Sequence, residues 1–295
     1  MNPAMKVTKA VIPAAGLGTR VLPATKSVPK EMLPIVDRPA IHYIVEEAVR
    51  AGITDILIIT SRGKSSVEDY FDRAPELEER LLASGKEDLY RQIMDVTRMA
   101  NIQYVRQQEA KGLGHAVLCA KSFVGSDPFA VLYGDDVIIS PPDQPAIGQL
   151  CAAYDRYGLG VVGIKEVTPE QILKYSSLAV EPLEGRTFKV TDMVEKPAPD
   201  KVLSLYSILG RCVLPAEIFS ILEETPLGAG GELQLTDAMR TLTRTRGMTG
   251  VDYVGKRYDM GNKLGVLEAI VEVGVAHPEI GEGFKDYLRA FCKTL

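Results

Sequence analysis

The apolar run Ala10-Val11-Ile12-Pro13 passes directly into Ala14-Ala15-Gly16-Leu17-Gly18-Thr19-Arg20. A buried strand that feeds straight into a glycine-bearing loop is the entry to an α/β sheet, and it sets the loop at the carboxyl end of that strand. Gly16 and Gly18 let the backbone turn tightly and press its amides against an anion. Arg20, Lys26 and Lys30 add three cations to the same segment. Together they suit a nucleoside triphosphate.

Two familiar phosphate loops are excluded. A dinucleotide fingerprint needs a third glycine where Val21 stands, and a P-loop needs Gly-Lys-Ser/Thr where the chain reads Gly18-Thr19-Arg20. Pro23 and Pro29 keep the segment from becoming a helix. Residues 16–34 are therefore expected to form a long, proline-stiffened loop over a ligand. A lone Gly-x-Gly would read as an ordinary strand-to-helix turn with a solvated basic rim. The three cations, and a second phosphate-type motif further on, favour anion binding.

The chain has 295 residues, 46% hydrophobic and 25% charged, with a formal net charge of −5. That length allows one large α/β domain or two ordinary ones. Mild acidity argues against general nucleic-acid binding, which shows as a basic excess. Cys119, Cys151, Cys212 and Cys292 are scattered without a Cys-x-x-Cys pair, which gives neither a zinc site nor a disulfide framework. Met1–Ala10 lacks the apolar core of a signal peptide, and no apolar run approaches a membrane span. A soluble, cytoplasmic protein is expected.

Apolar runs alternate with amphipathic segments through the first half, as in a parallel sheet with crossover helices. Strands are expected at 9–13, 55–60, 102–105, 129–132 and 160–164. Ile41, Ile44, Val45, Ala48 and Val49 share a helical face that Gly52 terminates. Charged, helix-favouring residues over about 72–100 predict a helical insertion on the outside. Within about 172–215, Leu178–Glu181 and Phe188–Thr191 flank a Leu183–Arg186 turn, an antiparallel hairpin. A strand at 251–254, a helix near 233–242 behind a glycine cluster, and a last helix at 262–276 complete the pattern. No repeat or linker divides it, so residues 1–295 are expected to form a single domain.

Tyr133-Gly134-Asp135-Asp136 follows the buried run Phe129–Leu132, where α/β sheets bind their ligands. Adjacent aspartates on a strand point to opposite faces, so at most one can aim at a shared ion. Asp135 is the expected Mg²⁺ ligand, because that ion takes one or two carboxylates plus phosphate oxygens and waters. Asp259 either completes the site or caps the helix that follows it. Glu195-Lys196-Pro197 pairs a carboxylate for a sugar hydroxyl with an ammonium for a phosphate. Gln107 carries an amide suited to a pyrimidine edge, and Gly112 or Gly114 would let a flat base approach the backbone. His115 is expected to open a helix at 116–122 rather than to act as a base. With only His42, His115 and His277 in the chain and no activated Ser or Cys, chemistry needing a potent general base is disfavoured.

The segments Ala14–Arg20, Lys30–Pro34, Lys111–Ala116, Asp135-Asp136, Glu195–Pro197, Gly228–Asp237 and Asp259–Gly265 run nearly the length of the chain. In this order they resemble the bacterial UTP–glucose-1-phosphate uridylyltransferases of the sugar-phosphate nucleotidyltransferase superfamily. The resemblance implies a Rossmann-like mixed α/β fold with a mostly parallel sheet, Mg²⁺ dependence, UTP and glucose 1-phosphate as substrates, and a homo-oligomer. It implies that Ala15 and Gly16 contact the uracil with Gln107 and Gly112, and that Gly18 shapes the nucleotide loop. Arg20 would meet the UTP phosphates and Lys30 bridge both substrates. Asp135 would hold the metal with Asp259 as second ligand, Glu195 would bind glucose hydroxyls and Lys196 the adjoining phosphate. Ser176 departs from the pattern, because relatives commonly carry glycine after the tyrosine at 175. The rival expectations are a dTTP- or CTP-dependent sister enzyme and a non-catalytic sugar-nucleotide sensor.

Overall fold

The computed structural model describes residues 6–295, so the first half of the Met1–Ala10 segment lies outside the described residues. The strands of the first half are β1 (Lys9–Pro13), the short pair β2 (Pro34–Ile35) and β3 (Arg38–Pro39), β4 (Asp55–Thr60), β5 (Asn101–Arg106) and β6 (Phe129–Leu132). The second half adds β7 (Asp136–Ile139), β8 (Gly160–Glu166), β9 (Ser176–Glu184), β10 (Thr187–Glu195), β11 (Tyr206–Leu214), β12 (Met248–Val251) and β13 (Lys256–Asp259).

Nine of these strands form one sheet in the order β5-β4-β1-β6-β11-β8-β12-β10-β9. Only β10 and β11 run against the direction shared by the other strands of this sheet. The fold is the expected mixed, mostly parallel α/β sheet. Successive residues of β1 point to opposite faces. Ile12 joins a cluster with Ile41, Ile44, Val45 and Ala48 of the helix Ala40–Arg50. Val11 joins the opposite cluster, with Phe129, Phe219, Leu222 and Met239. Apolar layers on both faces explain why β1, β4 and β6 read as continuous hydrophobic runs.

From β1 the chain steps out to β4 and β5, then returns to β6 on β1's other side. Such a reversal opens a crevice at the carboxyl ends of the strands. Residues 14–34 leave β1 at that crevice in short turns (Thr19–Val21, Ala24–Lys26, Lys30–Met32), as the prolines dictate. Gly134 donates its amide to Pro13 O at 3.2 Å, so the ends of β1 and β6 touch there.

The helical insertion consists of two helices, Pro75–Ala83 and Glu87–Thr97. Other expectations are corrected. The helix placed at 116–122 begins earlier, at Leu113, and ends at Leu118. The strand placed at 251–254 is Met248–Val251, and Asp259 ends a separate strand, β13, which pairs with β7. β11 was not anticipated at all.

Candidate active site

Four of the expected residues meet directly. Lys30 Nζ lies 2.5 Å from Asp135 Oδ2. Arg20 reaches the same oxygen at 3.8 Å and Asp259 Oδ2 at 3.5 Å. Burial alone would lower the Lys30 amine, but Asp135 and Glu31 outweigh it and hold it above its usual value. For Asp135 burial works upward, and Lys30, Arg257 and Arg20 reverse it, keeping the carboxyl below its usual range. Lys26 makes no ion pair among the described residues and sits in the turn Ala24–Lys26.

The two adjacent aspartates diverge, although not by the expected strand alternation: Asp135 lies in the turn between β6 and β7, and Asp136 opens β7. Asp136 faces Arg257, whose Nε and Nη2 lie 2.8 and 2.6 Å from Asp136 Oδ1. That leaves Asp135 alone to face the crevice. Asp259 does not cap the following helix. Asn262 does so, accepting from Gly265 N at 2.8 Å. Asp259 Oδ1 instead accepts from Gly261 N at 2.8 Å, and Oδ2 takes the Tyr175 hydroxyl at 3.4 Å.

Gly261 fills the angle between these groups. A β-carbon on it would stand 2.8 Å from Asp259 Oδ1 and 3.0 Å from Asp135 Oδ2, with Arg20 Nη2 closer still. Both carboxylates therefore border one small space. No group of three His, Cys, Asp or Glu side chains suited to a metal occurs among the described residues. A divalent ion here would have two carboxylates and draw its other ligands from phosphates and waters, which fits Mg²⁺ better than a metal that needs a full protein cage.

The nucleotide-side residues line the same edge. Ala15 is buried, Gly16 is exposed, and Lys30 Nζ passes 3.4 Å from where a Gly16 β-carbon would sit. Gly18 takes a left-handed φ of 67°, and Thr25 donates to its carbonyl at 2.7 Å. Gln107, just past β5, donates to Gly112 O at 3.2 Å and meets His115 Nδ1 at 2.9 Å, which fixes its amide. The space beside Gly112 is taken by this chain. Its absent side chain makes room for Glu232 Cβ (2.7 Å) and Leu233 O (2.8 Å), so the glycine-rich segment 228–233 closes against this loop.

Glu195 ends β10 and accepts from Thr236 Oγ1 at 2.8 Å. Burial pushes its carboxyl up against the opposing pulls of Thr236 and Lys196. Lys196 is exposed and holds a φ of 44°, unusual for a side-chain-bearing residue, with its amide on Tyr175 O at 2.8 Å. Such strain concentrates at functional positions. Tyr175 thus ties the Glu195-Lys196 corner to Asp259.

Three supports escaped the sequence pattern. Arg211, wholly buried on β11, grips Glu47 with Nε and Nη2 (3.0 and 2.6 Å) and donates to Asp136 O at 3.0 Å. A charged residue amid the apolar run Ile208–Leu214 was the available signal. Arg257 and Lys64 carried none, because each sits among polar neighbours in sequence, and nothing local to Glu31 names Lys64 as its partner.

A mixed sheet with a glycine loop, converging cations and two carboxylates at its switch point defines a nucleotidyltransferase. Residues 9–274 match the nucleotidyl transferase family, and the chain belongs to it. Its place within that family is among the UTP–glucose-1-phosphate uridylyltransferases. It is 51% identical over 288 residues to the enzyme of that name, YngB, from Bacillus subtilis (strain 168), covering 98% of this chain and 96% of the relative. A UTP-bound UGPase from Acinetobacter baumannii superposes with a TM-score of 0.89 at 42% identity, covering 96% of this chain and 98% of the other. A UDP-glucose pyrophosphorylase complexed with UDP-glucose gives 0.82 at 41% identity, covering 90% and 98%.

Proposed function

We propose that this chain transfers the uridylyl group of UTP to glucose 1-phosphate, giving UDP-glucose and pyrophosphate by in-line attack on the α-phosphorus. The convergence of Arg20, Lys30, Asp135 and Asp259 carries the proposal. The attacking phosphate oxygen is already an anion and needs no base. None of the three histidines contacts Lys30 or Asp135: His42 is engaged with Tyr70 and Arg38, His277 with Asp37, and His115 with Gln107 at the base end of the site. What must be overcome is repulsion, about 4 kcal/mol for like unit charges at 4 Å and an effective dielectric near 20. Arg20 faces the triphosphate, and Lys30 bridges the two substrates at the reacting centre. Gln107, Ala15 and Gly16 orient the uracil, with Gly112 acting through its backbone, whose carbonyl holds the Gln107 amide; Glu195 orients the glucose hydroxyls, and Lys196 the phosphate beside the sugar.

The family is in general dependent on a divalent metal. We take the ion to be Mg²⁺, held by Asp135 and Asp259. When bound it supplies charge neutralisation and orientation of the phosphates. One catalytic domain over residues 1–295, working in the cytoplasm as a homo-oligomer, completes the proposal. No helix among the described residues is long and apolar enough to cross a membrane. The helix Lys263–Ala276 exposes Leu264 and Leu267 at 66% and 59%, which supports a contact between copies.

The test is pyrophosphate release from UTP, dTTP, CTP and ATP with glucose 1-phosphate, with and without Mg²⁺. Fast release is expected only with UTP and Mg²⁺. Preference for another triphosphate would replace the substrate, and no release with any would remove the activity.

A further inference from the structure

Lys64 follows β4 at the start of the helix Ser65–Phe71, and it is only 7% exposed. Its amine spends its three donors inside the protein: on Ala14 O at 2.5 Å, and on Glu31 Oε1 and Oε2 at 2.9 and 2.8 Å. Ala14 immediately precedes the Ala15-Gly16 corner, and Glu31, wholly buried, immediately follows Lys30. The two contacts therefore bracket the place where Lys30 crosses Gly16. Burial works against both charges, pushing the Glu31 carboxyl up and the Lys64 amine down, while each partner's charge works the other way. A buried ion pair is a poor source of stability, because apolar residues of similar volume serve as well. Its value here lies in geometry.

We propose that Lys64, through Glu31 and the Ala14 carbonyl, is a positioning residue for the transfer reaction, fixing Lys30 relative to the nucleotide loop. The proposal rests on the role given to Lys30 above. Lys64 touches no substrate. It clamps together three segments that sequence places far apart: the end of β1, the Lys30–Met32 turn and the end of β4. Freed of the clamp, Lys30 would still carry its charge but would wander relative to Gly16. A misplacement of about 1 Å at a reacting centre can cost roughly 100-fold in rate.

The test combines Lys64→Met with Glu31→Leu, which removes both buried charges together and leaves the Ala14 carbonyl as the one group without its donor. This double variant should stay folded with a thermal midpoint within about 8 °C of the wild type, lose kcat by about 100-fold, and leave KM for UTP within about three-fold. Glu31→Gln, nearly isosteric, should lose about ten-fold by the same route. In a Lys30→Ala background the double substitution should cost less than about three-fold more, since residues acting through one group are not additive. A folded double variant with near-wild-type kcat overturns the proposal. So does a defect that multiplies in full with that of Lys30→Ala, which would mark a general structural role. Near-wild-type turnover of Lys30→Ala alone would instead sink the assignment of Lys30.

Discussion

Lys30 Nζ rests 2.5 Å from Asp135 Oδ2, so the cation assigned to the reacting phosphates sits on the carboxylate assigned to the metal. Each group holds the other charged and in place until substrate and ion separate them. Lys30→Ala and Asp135→Ala should each lower turnover by roughly two to three orders of magnitude, the scale of one lost electrostatic stabiliser. Their metal binding should diverge. Without nucleotide, Lys30→Ala should bind Mn²⁺ about ten-fold more tightly than the wild type, equivalent to about 1.4 kcal/mol, because Asp135 no longer has to release an ammonium. Asp135→Ala should bind it more weakly. Paramagnetic resonance titration measures both, and unchanged affinity in Lys30→Ala would show that Lys30 does not compete for the carboxylate.

Gly261 lies between the two carboxylates. Its β-carbon position lies 2.8 Å from Asp259 Oδ1 and 3.0 Å from Asp135 Oδ2. Arg20 is 60% exposed and can move away, but Asp259 is held by the Gly261 amide and cannot. Gly261→Ala should therefore splay the carboxylates and lower turnover by about 100-fold, the cost of a small misplacement. Its thermal midpoint should fall by no more than about 4 °C, because the nearest atoms the added methyl meets belong to polar site residues rather than to the apolar core. Full activity with wild-type metal affinity would mean that the two aspartates do not share a ligand.

What sequence made legible follows period and punctuation. β1, β4 and β6 declared themselves because burial on both faces leaves no polar interruption, and the helix Ala40–Arg50 because its apolar stripe recurs every turn. The loop carrying Arg20 and Lys30 was marked by glycine and proline. β11 carries the apolar run Ile208–Leu214, but its antiparallel insertion between β6 and β8, far from both in sequence, is a pairing no local signal encodes. The same holds for the site. Asp135 was visible at a strand end. Its selection over Asp136 depends on Arg257, and the placement of Lys30 depends on Lys64. Those partners are fixed by the tertiary fold alone.

Ser176 shows how a departure from a family pattern can be absorbed. It pairs across the hairpin with Glu195, but its hydroxyl turns inward, accepting from Ile208 N at 3.1 Å beside Ser207 Oγ at 3.4 Å. The side chain supports an irregular stretch of β11, where the register with β8 slips. Ser176→Gly should leave glucose selectivity unchanged and destabilise the protein by about 2 kcal/mol, through one buried amide left unpaired and a glycine in a strand. Denaturant unfolding and a panel of hexose 1-phosphates check the two halves. A shift in sugar preference with no loss of stability would place Ser176 at the substrate instead.

His42 gives the fold a predictable acid limit. Arg38 Nη1 lies 3.2 Å from its Nε2, so that nitrogen accepts, and the Nδ1 proton faces the Tyr70 hydroxyl at 3.0 Å. Burial first, then Arg38, lowers its pKa from the ordinary 6.5, with Glu46 and Asp37 pulling weakly the other way. The folded state therefore favours neutral histidine. Above 6.5 both states are neutral and the residue's contribution is fully present. As pH falls from there towards the lower folded value, unfolding takes up a proton, and stability drops by up to about 1.4 kcal/mol per pH unit. His42→Gln, which can still accept from Arg38 and meet Tyr70, should remove that part of the slope while the carboxylate-driven loss at lower pH remains. Urea midpoints measured in steps from about pH 8 to about pH 5 would show the two proteins parting only in the lower half of the range. Parallel curves throughout would mean that His42 takes up its proton without leaving the native state.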